Sequence, residues 1–156
     1  MHSTHSSKTT NATHLVNTWL ADRQTLIVAF NNLCSLRPFA QANSAYLNES
    51  LQEFCALLVD YLSLGHFEIY EHISDSLERC SPQRGIPERV LQCIMNTTVN
   101  ALDFNDKYQH QEKLSNLEAD LSALALCFAQ RLEWEDQLIA SYQMAKQASR
   151  AFAKSA

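Results

Sequence analysis

The feature that most constrains this chain is a shortage of turn residues: 2 glycines and 3 prolines in 156 residues. Ordinary globular chains carry roughly 7% glycine and 5% proline. Sandwiches, barrels and glycine-rich phosphate loops need such residues at short intervals, so all three are excluded. Long helices with few connections remain. From Lys107 to Phe152 there is neither glycine nor proline. A chain of this length makes one domain around a single core.

Apolar spacing predicts where the helices lie. Leu15, Trp19, Leu26, Phe30 and Leu33 recur at helical intervals, which predicts a first helix from about Thr13 to Leu36, stopped by Pro38. Residues 1–12 are rich in His, Ser and Thr and hold no apolar stretch, so they read as a flexible tail rather than a signal peptide. Residues 13–156 form the helical domain. Asn43 or Ser44 suits the cap of the second helix. Across residues 44–79, Leu51, Phe54, Cys55, Leu58, Leu62, Ile69 and Ile73 keep one phase, which a hairpin would reset. One helix through Gly65 is therefore expected, with the glycine on the apolar face where a neighbouring helix comes close. A helix–turn–helix capped at Gly65 is the alternative.

Cys80–Pro87, with Ser81-Pro82 and Gly85, is the clearest loop, and Pro87 suits the first turn of a third helix. That helix is expected over Glu88–Asn105, using Val90, Leu91, Ile94, Val99, Leu102 and Phe104, with Asn105-Asp106 as a short connection. The last helix carries a stripe of Leu114, Leu117, Leu121, Leu124, Phe128, Leu132, Leu138, Ile139 and Tyr142. The expected fold is all-α, a single-domain up-down-up-down four-helix bundle with long helices.

Charge and chemistry narrow the function. Lys+Arg 12 against Asp+Glu 17 gives −5, which disfavours direct contact with nucleic acid. Cys34, Cys55, Cys80, Cys93 and Cys127 are odd in number and widely spaced, and no CxxC or CxxH pair exists. Neither a disulfide framework nor a zinc site is indicated, and a reducing cytoplasm fits. The longest apolar runs, Leu26–Phe30 and Ala123–Ala129, fall far short of a membrane span. No nucleophile elbow, phosphate loop or HExxH motif occurs. His2 and His5 lie in the tail, and His14, His66, His72 and His110 make only one weak pair, His72 with Asp75. No enzyme, metal or cofactor is expected.

Two patterns stand out. With Asp60 as reference on an ideal helix, Glu49, Glu53, Leu64, Phe67, Glu71, Asp75 and Glu78 fall within about 60° of it. Residues 44–79 hold seven acids (Glu49, Glu53, Asp60, Glu68, Glu71, Asp75, Glu78) and one cation, Arg79, a balance of −6. This is an acidic ridge with Leu64 and Phe67 embedded in it. A solvated face is the plain reading; a protein-binding anchor within a charged rim, facing a basic surface, is the functional one. Second, Arg23 and Glu135 occupy core stripes, and Arg131 lies four residues before Glu135, suited to a structural ion pair.

The stretch Phe54-Cys-Ala-Leu-Leu-Val-Asp-Tyr-Leu-Ser-Leu-Gly-His-Phe-Glu-Ile-Tyr-Glu71 closely resembles the regulator of sigma D (Rsd/AlgQ) family of bacterial anti-sigma factors. The family pattern reads FC-x-x-LVDY-x-SAGHF-x-IYE, and only Leu64 departs, replacing a small residue. Trp19-Leu20 with Arg23, Ala101-Leu-Asp-Phe-Asn-Asp106 and Arg131-Leu-Glu-Trp-Glu-Asp-Gln-Leu-Ile139 match in family order. The resemblance implies an anti-sigma factor that binds the primary, sigma-70 type sigma factor at the region reading the −35 promoter element. Asp60 matches the family's acidic contact. Ser63, His66, Phe67 and Glu71 share its motif, and the bulk of Leu64 would alter the fit. A cytoplasmic monomer is expected, more than a homodimer. Other readings are a bundle binding a metal or small ligand, and an acidic bundle that self-associates or meets another cytosolic protein.

Overall fold

The computed structural model describes the backbone of residues 4–80, 88–110 and 113–155, and the side chains among them except at 4–12, 66, 67 and 80. Among the described residues there are five α-helices and no strand. The first, α1, runs from Thr4 to Cys34. It begins well before Thr13, so residues 4–12 of the expected tail have helical backbone. No proline or glycine precedes Pro38, and a nucleated helix gains one hydrogen bond per added residue. Its end is closed by Ser35 N–H on the Asn31 carbonyl at 2.9 Å and Leu36 N–H on Leu33 at 3.1 Å. A short 3-10 turn, Phe39–Gln41, buries Phe39.

Helix α2 spans Ser44–Leu64, and Asn43 caps it by accepting the Tyr46 N–H at 3.1 Å. The backbone then passes through a π-helical turn, Gly65–Ile69, directly into α3, Tyr70–Cys80. Gly65 sits at φ −57°, ψ −51°, so it continues the helix rather than capping it. The Tyr70 N–H reaches back five residues to the Gly65 carbonyl. A π-turn carries one extra residue, about 100° on an α-helical wheel. On an uninterrupted wheel Tyr70 and Leu77 lie roughly 100–120° off the apolar face; here they are 7% and 3% exposed. The π-turn accommodates one more residue than an α-turn and so brings both onto the apolar face.

Helix α4 spans Glu88–Tyr108 and α5 spans Leu117–Ser155. Of the loop expected at Cys80–Pro87, Cys80 is still part of α3, and residues 81–87, with Pro87 at the helix start, lie outside the described residues. Asn105-Asp106 is not a connection: α4 continues three residues past Asn105, which is itself buried. Tyr108 is the reason, since its ring is fully buried 4.7 Å from Phe104. Val99 and Leu102, expected in the core, are 56% and 39% exposed, and Thr97, Thr98 and Ala101 take the inward positions. The polar cluster described below supplies the cause.

Helix α1 packs on α2, α2 on α4, α4 on α5, and α3 on α5. Aromatic rings link three of them: Phe30 to Phe54 at 5.6 Å, Phe54 to Phe104 at 6.1 Å. Trp19, Leu58, Ile73, Ile94 and Leu117 are wholly buried. Among the described residues no helix is long and apolar enough to cross a membrane.

Candidate partner-binding face and buried polar cluster

The acids of the central helix all stand in solvent: Glu49, Glu53 and Asp60 on α2, Glu68 in the π-turn, and Glu71, Asp75 and Glu78 on α3. Ser63 is exposed as well. Leu64 is not a freely exposed anchor. It is half-buried and packs against the core, as Leu57 one turn pair earlier does. Tyr61, one helical turn from each, stacks on Trp19 of α1 at 6.0 Å. The side chains of His66 and Phe67 lie outside the described residues. Because of the π-turn the acids do not follow one straight ridge: Glu71, Asp75 and Glu78 are turned about 100° from where an uninterrupted α-helix puts them. Among the described residues the only ion pair along this face is a long one, Arg79 to Asp75 at 4.0 Å between exposed side chains. Such a surface offers carboxylates to a basic partner, and exposed pairs of this kind contribute little to folding.

Beneath that face, the π-turn meets a buried polar cluster. Arg131 and Glu135 on α5 are 1% and 0% exposed and pair at 2.7 Å, Nε to Oε1. Glu135 also accepts the Tyr61 hydroxyl at 2.5 Å and the Tyr70 hydroxyl at 3.3 Å. Arg131 donates to the Tyr70 hydroxyl at 2.7 Å, to Thr98 Oγ1 at 2.7 Å and to Thr97 Oγ1 at 3.1 Å. Arg23 of α1 stands at the edge, 3.8 Å from Glu135 and 2.8 Å from Asp136. Four helices thus converge on one ion pair, and its need for oxygen acceptors draws the threonines inward in place of Val99 and Leu102. Tyr61, Tyr70, Thr97 and Thr98 were not foreseen as its partners; an arginine on a core stripe was the available signal, because it demands hydroxyls or carbonyls nearby.

Burial pushes the Glu135 carboxyl above its ordinary range, against the pull of Arg131, Tyr61 and Arg23. Burial also raises the Tyr61 and Tyr70 phenols, so both stay neutral donors. Trp19 is fully buried, and among the described residues its indole N–H has no acceptor, which costs about 1–3 kcal/mol. Gly65 lies against it: a Cβ there would stand 3.4 Å from Trp19 Nε1 and 3.2 Å from the Tyr70 hydroxyl. The close approach expected at this glycine is therefore to Trp19 of α1 and to Tyr70 one π-turn on.

Elsewhere, a groove of about 310 Å³ lies between α4 and α5, lined by Asn100, Asp103, Phe104, Lys107, Asp120 and Cys127 among others. Lys107 and the Tyr108 hydroxyl both donate to Asp120, the lysine at 2.5 Å. Burial raises the Cys127 thiol, which is the direction of an unreactive cysteine. Among the described residues no three His, Cys, Asp or Glu side chains are grouped to hold a metal ion.

A family model described as regulator of RNA polymerase sigma(70) subunit, Rsd/AlgQ, matches residues 2–143. The chain belongs to that family. Among its relatives is a protein named regulator of sigma D from Yersinia enterocolitica, 31% identical over 141 residues, covering 85% of this chain and 84% of the relative. Another of that name from an Enterobacter species is 32% identical over 136 residues, covering 81% and 78%. One from Yersinia pestis is 29% identical over 130 residues, covering 80% and 77%. No solved structure gave a significant match.

Proposed function

We propose that this protein is an anti-sigma factor. It binds the primary, sigma-70 type sigma factor through the acidic face of its central helix and blocks the region that reads the −35 element. That occupation withholds the sigma factor from RNA polymerase and so regulates transcription. The observation that carries the reading is the family match across residues 2–143, whose description names the sigma(70) subunit. Supporting it, Asp60, Ser63 and Glu71 are exposed, and the −6 balance of residues 44–79 suits a basic, DNA-reading surface. Charge of that kind speeds encounter, and desolvated apolar contact then slows release. Phe67 and the exposed rim of Leu64 would supply that contact, with His66 beside them. The chain acts in the cytoplasm and as a monomer, which sedimentation across a wide concentration range tests.

The deciding experiment is titration with the purified primary sigma factor at two salt concentrations, alongside Asp60→Ala. Binding should weaken with salt, and Asp60→Ala should lose about tenfold or more in affinity, ~1.4 kcal/mol, with melting unchanged. A sigma factor that binds Asp60→Ala as well as the wild type would move the site. Absence of wild-type binding would end the reading.

A further inference from the structure

Three features meet where the helix passes from Tyr61 to Tyr70. It contains a π-turn, a rare form that recurs at functional sites. An indole N–H without an acceptor among the described residues, that of Trp19, lies against the turn at Gly65. The turn is followed at once by Tyr70, whose hydroxyl both donates to Glu135 and accepts from Arg131 in the core. A chain one residue shorter would avoid the first: the Tyr70 N–H would then be four residues from Gly65, and the same hydrogen bond would close an ordinary α-turn. Gly65, Ile69, Tyr70, Ile73 and Leu77 are buried, and ordinary helical spacing would keep them on one side of the shortened chain. The packing of α3 on α5 therefore does not require the extra residue. What that residue does change is residues 66–68, which join two buried positions and include exposed Glu68. They follow exposed Asp60 and Ser63 by one to two helical turns.

We propose that the π-turn is a positioning device for partner binding: its extra residue bows residues 66–68 outward beside Asp60, and Tyr70, tied to the Arg131–Glu135 pair, is the positioning residue that holds the bow. This rests on the anti-sigma reading above. The buried pair would then serve the surface by fixing the register of the helix that carries it, rather than by touching the partner.

The test compares deletion of Glu68 with Glu68→Ala, each titrated with the primary sigma factor at two salt concentrations. Glu68→Ala removes one charge and keeps the turn; the deletion removes the same charge and the turn together. Expected is a deletion variant with wild-type helix content, a melting temperature no lower, and about tenfold weaker binding than Glu68→Ala. Equal affinity of the two variants overturns the inference while leaving the anti-sigma reading intact. If the wild type itself does not bind, both fall. Should the deletion variant fail to fold, Tyr70→Phe decides, measured well below its melting temperature. It carries no charge change, so a positioning role predicts weaker affinity with an unchanged salt slope. A purely structural role lowers melting and leaves affinity alone, which overturns the inference.

Discussion

Two ion pairs in this molecule have nearly the same length and opposite surroundings. Arg131–Glu135 is 2.7 Å with both side chains inaccessible, whereas Lys107–Asp120 is 2.5 Å with side chains 41% and 31% exposed. Distance alone ranks them together; water separates them. At the surface, high dielectric and salt reduce an ion pair to at most about 1 kcal/mol. In the interior, neither charge can be left alone without a penalty of several kcal/mol, so Tyr61, Tyr70, Thr97, Thr98 and Arg23 are recruited around the pair. The buried pair dictates which residues face inward, and the exposed pair dictates almost nothing.

The comparison sharpens under mutation. Arg131→Met should have the largest effect, a loss of about 3–5 kcal/mol in denaturant unfolding, because Glu135 is left buried without its main partner. Adding Glu135→Leu should return part of that loss even though it removes a second native group. A double variant less stable than Arg131→Met would mean that the pair stabilises the fold outright, and the contrast drawn here would be mistaken. Lys107→Met should cost under ~1 kcal/mol, and the difference should shrink further in added salt.

The smallest effect, and the most diagnostic of environment, is the response to pH. Hydrogen bonds from Lys107 and Tyr108 hold the Asp120 carboxyl below its ordinary value of 3.8. Its contribution is therefore present above about pH 4 and lost as pH falls through the lowered folded value. Glu135 behaves in the opposite sense: burial lifts it above 4.5, so its contribution is greatest below that value and declines as pH rises through the folded one. In unfolding measured from pH 3 to 7, Asp120→Asn should draw level with the wild type at the acid end. Glu135→Gln should gain on the wild type as pH rises. Parallel curves for both variants would contradict the assigned environments.

Much of the architecture could be read from the chain. Apolar spacing located α2, residue type offered Asn43 or Ser44 as its cap and the structure uses Asn43, and the unbroken run after Lys107 foretold a long last helix. The single phase through Gly65 foretold a continuous central helix, and the family motif was legible outright. The misreadings share a cause. Val99 and Leu102 have core chemistry at nearly core spacing, yet Arg131 claims that side of α4 for the oxygens of Thr97 and Thr98. Leu64, read as embedded in the acidic ridge, is half-buried against the core. Tyr70 and Leu77 fell off the wheel because a wheel assumes 3.6 residues per turn, and one π-turn breaks that assumption for everything after it.

By itself, the sequence determined an all-helical chain, an acid-rich central segment and membership in the family of sigma-factor regulators, since periodicity, composition and motif are properties of neighbouring residues. Only the tertiary structure decided which polar groups meet in the core, where the central helix takes its extra residue and how the acids are turned as a result. Those outcomes depend on side chains from α1, α4 and α5 closing around Glu135, groups as many as 112 residues apart in sequence (Arg23 to Glu135). No local pattern records such a meeting, because its free energy exists only once the helices have packed and water has gone.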